Sequence, residues 1–217
     1  MNFTAIIPAR KFDKVIPDKN VLPIGNTNLL SHKIDHLSNL RQVKKIIVSS
    51  ETEDYGKYCT HPKTILHIRS SNISTTVCPF SKIVMSMYKH IDTEYVLLAP
   101  VITPFLFKND FQKAIKIFLK AIDSGHDSLM TVAKTKRIIF DGNGPINLNY
   151  AKFRKPRPTL YEYVNGITIA PTSEVINWNH FWGLNPYLMI INSLKSITIC
   201  DKRDYFVAKH LFTSAYV

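Results

Sequence analysis

In AIIPARKFDKVIPDKN, residues 5–20, an apolar run leads into a basic loop, and this combination indicates the fold. The apolar run starts at residue 3 (FTAIIP), and a short continuous run of this kind predicts a strand buried inside a parallel sheet. The loop then places Arg10, Lys14 and Lys19 within ten residues. Backbone amides and fixed cations suit a triphosphate, so phosphate binding is one interpretation of the loop, and an ordinary basic surface loop is the other.

Outward from this stretch, apolar strands alternate with amphipathic helices. Residues 26–40 (NTNLLSHKIDHLSNL) have apolar positions at helical spacing, and Thr27 or Asn28 is the expected N-cap. Further strands are predicted at 44–50, 63–68, 94–100, 127–135, 164–171 and 196–200. Further helices are predicted at 79–91, 109–123 and 204–212. This alternation is typical of an α/β fold with a mainly parallel sheet that helices cover on both faces.

The carboxyl ends of the predicted strands indicate where a ligand would bind, because in open α/β sheets the site lies beyond those ends. The ends are predicted at residues 8–19, 49–53, 100–104, 165–166 and 200–204. We therefore expect these segments to converge on one crevice.

One segment, residues 136–163, interrupts the alternation with DGNGP and the proline-rich FRKPRPTLYEY. It predicts either an extended loop or a small β-subdomain that leaves the sheet. The chain has 217 residues, of which 45% are hydrophobic. This is enough for one domain over residues 1–217 with a sizeable core.

Composition limits the classes of partner. The formal net charge of +12 attracts polyanions such as nucleotides, nucleic acid or an anionic membrane, and solvated surface lysine is the alternative. The basic residues are dispersed and form no nucleic-acid motif, so no nucleic-acid partner is expected. Cys59, Cys78 and Cys200 are far apart, which disfavours a zinc site or a disulfide framework. No basic n-region precedes the first apolar run, and no run approaches about 18 apolar residues, so we expect a cytoplasmic protein without a membrane partner.

The pattern IIPAR-x-x-x-K-x-I-P-x-K-N at residues 6–20 resembles the opening motif of the acylneuraminate cytidylyltransferases and, more loosely, that of the KDO cytidylyltransferases. A helix with LL-x-H and a strand with IIVS follow in the same order. Matches continue in register along nearly the whole chain: ILHIR at 65–69, LLAPVITPFL at 97–106, DSLMTVAK at 127–134, YVNGITIAP at 163–171 and SITICDKRDYFVAKHL at 196–211. The resemblance implies a three-layer Rossmann-like nucleotidyltransferase fold.

Members of this family make a CMP-sugar and pyrophosphate from CTP and a nonulosonic acid, so the resemblance implies CTP and an acidic sugar as partners. Arg10, Lys14 and Lys19 would be the catalytic cations at the phosphates. The other residues implied for the nucleotide are Ala9, Asn20 and Arg69, and those implied for the sugar are Asn165, Gly166 and either Arg157 or Arg154. The family also pairs two protomers through the segment that matches 136–163, which implies a homodimer.

The first loop and the loop after the fourth long strand depart from the family pattern. Phe12 and Asp13 stand where the family has glycine or serine, and a carboxylate repels a triphosphate unless it faces away or meets a metal. Residues 99–106 replace a family stretch that supplies a glutamine and an arginine.

The largest departure concerns Mg²⁺, the cofactor that the resemblance implies. The two family aspartates that hold it correspond to Thr198 and Cys200, and neither offers the hard cation a carboxylate. Asp201 is adjacent, but it would point to the opposite face if the strand continued. Asp204 matches a family aspartate, although an N-cap of the last helix is the expected role.

Three hypotheses follow. The chain is an enzyme that transfers CMP, with any metal held mainly by phosphates and water. Alternatively, it is a non-catalytic relative that keeps the crevice for a ligand or a partner subunit. A nucleic-acid-binding protein is the third hypothesis, which rests on charge alone and predicts a steep salt dependence of binding.

Overall fold

The computed structural model describes residues 1–70, 73, 78, 80–135, 137–147 and 159–214. Its strands are β1 (Phe3–Pro8), β2 (Pro23–Ile24), β3 (Thr27–Asn28), β4 (Val43–Ser50), β5 (Thr64–Ile68), β6 (Tyr95–Leu98), β7 (Ser128–Lys134), β8 (Tyr161–Pro171) and β9 (Pro186–Ile191). Its α-helices are α1 (Leu29–Ser38), α2 (Phe80–Tyr88), α3 (Lys108–Asp123), α4 (Thr172–Trp178) and α5 (Lys202–Thr213). Two short 3-10 helices span Lys19–Val21 and Glu53–Tyr58. The predicted α/β class is confirmed.

One seven-stranded sheet runs through the molecule in the order β5-β4-β1-β6-β8-β7-β9. Neighbouring strands are parallel except at β8, which lies between β6 and β7 and is antiparallel to both. The strands β2 and β3 form a separate antiparallel hairpin. The sheet is therefore mainly parallel, as predicted, with one reversed strand.

Side chains of the central strands alternate between two hydrophobic cores, because successive residues of a strand point to opposite faces. Ala5 and Ile7 of β1 join the larger core, whereas Ile6 joins the smaller core on the other face. The larger core includes residues of α1, α3 and α5, and the smaller core includes residues of α2 and α4. Helices thus enclose the sheet from both sides, which gives the expected three layers.

The last strand differs from the prediction. Residues 196–200 (SITIC), predicted as a strand, follow a turn without regular structure, and the Ile199 N–H donates to Ile102 O at 2.8 Å. The edge strand is instead β9, Pro186–Ile191, which pairs with β7 alone. Three of its six side chains are exposed, so its sequence lacks the pattern of a buried strand.

The interruption predicted at 136–163 lies partly outside the described residues, which leave out 136 and 148–158. In the described part, Phe140 and Pro145 form an isolated antiparallel bridge, and β8 begins at Tyr161. The choice between an extended loop and a small subdomain therefore stays a prediction. Among the described residues, no helix has the length and apolar character needed to cross a bilayer.

Candidate active site

The predicted crevice segments meet at the carboxyl edge of the sheet. The Ala9 N–H donates to Ser49 O at 2.8 Å, which joins the exits of β1 and β4. The Ala99 N–H donates to Ile6 O at 2.9 Å, which holds the exit of β6 beside β1. The segment 198–200 joins them through the bond between its central residue and the loop after β6. Ala9 is fully buried, so its contribution to a ligand would come from its backbone.

Asp13 folds the first loop around its own carboxylate. Its Oδ1 accepts the backbone N–H groups of Val15 and Ile16, each at 2.9 Å, and its Oδ2 accepts a hydrogen bond from Lys19 Nζ at 2.8 Å. Burial raises the pKa of Asp13, but the bonds from Lys19, Ile16 and Val15 together hold that pKa below its ordinary value. The carboxylate therefore stays ionised and faces into the loop, where it pairs with one of the three predicted phosphate cations.

Glu51, at the exit of β4, anchors the beginning of the same loop. Its Oε1 accepts the backbone N–H groups of Lys11 and Phe12 at 2.9 and 3.1 Å, and its Oε2 accepts a hydrogen bond from Arg69 Nη2 at 2.9 Å. The side chains of Arg69 and Glu51 are only 3% and 8% exposed. Burial lowers the pKa of Arg69, Glu51 raises it, and the nearby charge of Arg10 lowers it further. The predicted residue Arg69 thus reaches the loop, but its guanidinium is already paired.

Asn20 closes the loop on itself. Its side-chain amide donates to Arg10 O at 2.5 Å and lies 3.4 Å from the Tyr55 hydroxyl, and Asn20 is 4% exposed. The same hydroxyl donates to Asp18 Oδ1 at 2.7 Å. Asp18 has a left-handed φ of 55°, which an aspartate tolerates better than most residues. The predicted nucleotide residue Asn20 therefore shapes the loop from within, while Lys14 is exposed at the surface of the loop.

Two side chains of α1 form hydrogen bonds with the backbone of the loop after β6. Lys33 is fully buried, and its Nζ donates to Thr103 O at 3.0 Å. It also lies 5.0 Å from the centre of the Phe111 ring, and burial lowers its pKa to about 7. His32 Nε2 lies 3.0 Å from Pro104 O and donates a hydrogen bond to it in the tautomer that carries the proton on Nε2. These two bonds fix the backbone of the loop that replaces the family's glutamine- and arginine-bearing stretch.

Asn165 and Gly166 were predicted at the carboxyl end of a strand. They lie instead within β8, which is antiparallel to both of its neighbours. They still lie at the carboxyl edge, because Thr168 pairs with Leu98, the last residue of β6, and the residues before Thr168 continue beyond it. The Thr131 hydroxyl donates to Val164 O at 2.8 Å, where a register shift interrupts the β7–β8 ladder. A Cβ on Gly166 would lie 2.5 Å from Leu106 Cδ1, so a larger residue here would require Leu106 beside the loop after β6 to move.

The segment that matches the family metal site is not the expected strand. Thr198 is half-buried and its hydroxyl donates to Ser196 O at 3.2 Å, whereas Cys200 is exposed. Asp201 is the N-cap of α5: its Oδ1 accepts the Asp204 N–H at 2.9 Å, and Asp204 Oδ2 accepts the Asp201 N–H at 3.2 Å. The expected N-cap, Asp204, is therefore the third residue of the helix, and the cap is Asp201.

These residues do not fit a Mg²⁺ site made by the protein alone. Mg²⁺ prefers carboxylate and phosphate oxygens, and a neutral thiol is a poor ligand for it. The carboxylate of Asp201 is engaged in the helix cap. In the part of the chain that the structure describes, no group of three or more histidine, cysteine, aspartate or glutamate side chains is placed to hold a metal.

The acidic side chains of the site were not predicted from the sequence. Glu51, Asp54 and Tyr55 all follow the end of β4, and Asp54 pairs with Lys11 of the loop. Their position just beyond a buried strand was the available signal: residues 49–53 were expected in the crevice, but none of their side chains was given a role. The arginines predicted for the sugar carboxylate, Arg157 and Arg154, lie outside the described residues.

Known proteins resemble this chain in both sequence and fold. The sequence profile of the family described as Cytidylyltransferase matches residues 4–163. The N-acylneuraminate cytidylyltransferase of Escherichia coli O18:K1:H7 (strain RS218 / NMEC) is 24% identical over 215 residues, which cover 94% of this chain and 50% of that protein. The chain thus spans about half the length of the curated relative it matches.

Solved structures share the fold along the whole chain. A CMP:2-keto-3-deoxy-manno-octonic acid synthetase complexed with CTP has a TM-score of 0.69 at 10% identity, over 97% of this chain and 98% of that one. The 4-diphosphocytidyl-2C-methyl-D-erythritol synthase of Anaerococcus prevotii DSM 20548 has a TM-score of 0.66 at 13% identity, over 96% and 97%. These likenesses confirm the Rossmann-like nucleotidyltransferase fold. The family profile matches well over half of the residues of this chain, and the chain therefore belongs to the cytidylyltransferase family.

Proposed function

We propose that the protein transfers CMP from CTP to a sialic-acid-like nonulosonic acid and releases pyrophosphate. The observation that carries this proposal is the preorganised first loop, which Glu51 and Asn20 hold at the carboxyl edge of the sheet. The loop presents cations at the place where ligands of open α/β sheets bind. The match to an N-acylneuraminate cytidylyltransferase over 94% of the chain supports the choice of acceptor class.

In the proposed reaction the anomeric hydroxyl of the sugar attacks the α-phosphorus of CTP in line. A new phosphorus–oxygen bond to the sugar forms, the bond from the α-phosphorus to the β-phosphate oxygen breaks, and the hydroxyl proton passes to solvent. Arg10, Lys14 and Lys19 would offset the charge of the triphosphate as it develops on the leaving pyrophosphate. Ala9, through its backbone, and Arg69 would complete the nucleotide pocket.

The acceptor would lie towards the β8 side of the crevice. Asn165 and Gly166 reach this edge, and Arg157 or Arg154 would meet the sugar carboxylate. We further propose a single domain over 1–217 that forms a homodimer through 136–163. Tyr161 and Tyr163 in that segment are partly exposed aromatic side chains of the kind that interfaces favour.

Mg²⁺ belongs to the proposal as an ion that arrives with CTP. Phosphates and water supply most of its ligands in many nucleotide enzymes, so the absence of a family aspartate pair at Thr198 and Cys200 does not prevent such an arrangement. Bound in this way, the ion would neutralise charge at the phosphates.

Pyrophosphate release tests the proposal directly. The protein is incubated with CTP and a panel of nonulosonic acids in Mg²⁺ or Mn²⁺, and product is measured against a control without protein. Lys14→Ala should reduce turnover. Lys44→Ala should not, because Lys44 is an exposed lysine at the amino end of β4, away from the crevice at the carboxyl edge of the sheet. No product above the control across the whole panel would exclude the enzymatic hypothesis.

A non-catalytic relative is the second candidate. The arrangement of residues 198–204 favours it, because the carboxylates of Asp201 and Asp204 both cap α5 and the two family positions carry a hydroxyl and a thiol. Saturable CTP binding without turnover, in every metal and with every sugar, would support this candidate over the first.

A further inference from the structure

We propose that the Asp13 carboxylate occupies the place of a phosphate group in the first loop and must be displaced when a polyphosphate binds. Three donors converge on it, namely the backbone N–H groups of Val15 and Ile16 and the ammonium group of Lys19, all within 2.9 Å. Adjacent backbone amides and a lysine are the donors with which protein loops bind phosphate. The inference rests on the proposed function in one respect, which is that the nucleotide binds at this loop.

Three cations at the loop are already paired with carboxylates in the free protein. Lys19 pairs with Asp13, Lys11 pairs with Asp54, and Arg69 pairs with Glu51. An incoming polyanion cannot therefore add its full attraction to three unpaired cations. It has to replace at least one carboxylate as a partner, and binding becomes an exchange of one anion for another.

Two contrasts identify Asp13 as the carboxylate that exchanges: it is more exposed than Glu51, and backbone N–H groups converge on it, which distinguishes it from Asp54, whose side chain is 59% exposed. The side chains of Lys19 and Asp13 are 16% and 25% exposed, so a ligand can reach the pair and the aspartate can turn into solvent. Removing Glu51 from its place would instead leave the buried guanidinium of Arg69 without its partner, which is strongly unfavourable. Glu51 therefore remains an anchor, and Asp13 is the group that moves.

This exchange makes the loop selective for multiply charged ligands. A single negative charge gains little by replacing a carboxylate that already makes three hydrogen bonds. A triphosphate brings several charges and can also engage the exposed Lys14. Asp13 is thus a specificity-determining residue that favours triphosphates over monophosphates.

The substitution Asp13→Asn tests the inference, because the amide oxygen still accepts the backbone N–H groups while the competing charge is removed. Asp92→Asn is a matched control: Asp92 also pairs with a lysine, Lys45, at 2.7 Å, and the pair lies at the opposite edge of the sheet. Both variants have the same net charge. Affinities for inorganic tripolyphosphate and for CTP are measured by calorimetry, with and without Mg²⁺, and thermal unfolding checks the fold. Asp13→Ser, which keeps a short acceptor, serves if Asp13→Asn does not fold.

We expect Asp13→Asn to bind tripolyphosphate about tenfold more tightly than the unsubstituted protein, and Asp92→Asn to differ by less than about twofold. The gain should shrink as the ionic strength rises from about 0.05 M to about 0.5 M, because a partly exposed charge is screened. The preference for CTP over CMP should narrow in Asp13→Asn.

Equal or weaker tripolyphosphate binding by Asp13→Asn overturns the inference. So does a loss of CTP affinity that occurs only with Mg²⁺, because Asp13 would then be a metal ligand. The two proposals fail separately. Tighter tripolyphosphate binding without any preference for CTP, or without turnover, refutes the cytidylyltransferase activity alone. Normal turnover with unchanged affinity in Asp13→Asn refutes the role of Asp13 alone.

Discussion

The pair formed by Glu51 and Arg69 should dominate the stability of the first loop, and Glu51→Gln measures its contribution. The substituted amide can still accept the N–H groups of Lys11 and Phe12 through one oxygen. Its NH₂ group would then face the Arg69 guanidinium, so two donors would meet where a donor and an acceptor met before. Breaking a buried ion pair by removing one partner costs about 3–5 kcal/mol, because the other charge stays buried and unpaired.

For a chain of this size, about 3 kcal/mol corresponds to a fall in the melting temperature of about 6–12 °C. Thermal unfolding of Glu51→Gln, followed by circular dichroism, gives this value. The double variant Glu51→Gln with Arg69→Met should recover part of the loss, since both buried charges are then gone. A melting temperature within about 1 °C of the unsubstituted protein would show that the pair is not the anchor that its burial indicates.

Three further predictions address the ligand, the packing and the pH dependence. Arg10→Ala should weaken CTP binding about ten- to a hundredfold in calorimetry, because a charge-assisted hydrogen bond contributes about 1.5–3 kcal/mol, and unchanged affinity would place the nucleotide elsewhere. Gly166→Ala should lower the free energy of unfolding by about 1–3 kcal/mol, because its Cβ would meet Leu106 at 2.5 Å. Leu106→Ala removes a buried side chain and should cost about 2–5 kcal/mol alone, so in urea unfolding the double variant should lose less than the sum of the two single losses, and full additivity would show that the two side chains do not meet. Burial lowers the pKa values of His32 and His67 to about 4, so the unfolded chain takes up protons first as the pH falls below about 6.5. Stability should therefore be unaffected by these groups above that pH and should fall by up to about 2–3 kcal/mol for each group between about pH 6.5 and 4, and His67→Gln should flatten the decline in urea unfolding across this range.

The sequence predicted the strands that are buried on both faces. β1, β4, β6 and β7 contain apolar runs, and such runs indicate strands inside a covered parallel sheet. The edge strand β5 was also predicted, from the segment KTILHI, although it is less buried. The edge strand β9 was missed because half of its side chains face solvent. The segment 196–200 was predicted as a strand from its β-branched residues, but a strand also needs a neighbour with free backbone groups, and this segment forms one such bond, to Ile102. Local propensity does not reveal which partners the fold leaves available.

The direction of β8 could not be predicted from the sequence either. The apolar run at 164–171 fits a parallel or an antiparallel strand equally well, and direction depends on how the preceding connection returns to the sheet. That connection includes residues 136–163, whose pattern was irregular. Asn165 and Gly166 nevertheless lie at the carboxyl edge, because they precede Thr168, which pairs with the last residue of β6, and Gly166 lies beside Leu106 of the loop after β6.

The charge of the first loop shows most clearly why a site cannot be read from a count of cations. Its lysines and arginine suggest a binding site of unpaired cations for a triphosphate. The fold, however, pairs cations at the loop with carboxylates from two places, Asp13 within the loop and the segment 51–54 after β4. The second source is about 40 residues away in sequence and adjacent only because β1 and β4 are neighbouring parallel strands. A net charge of +12 therefore draws polyanions towards the protein, whereas affinity at the loop depends on which carboxylate gives way. The long-range attraction of a polyanion and its exchange with a carboxylate at the loop contribute separately to binding. Salt weakens both contributions, whereas Asp13→Asn changes mainly the exchange at the loop.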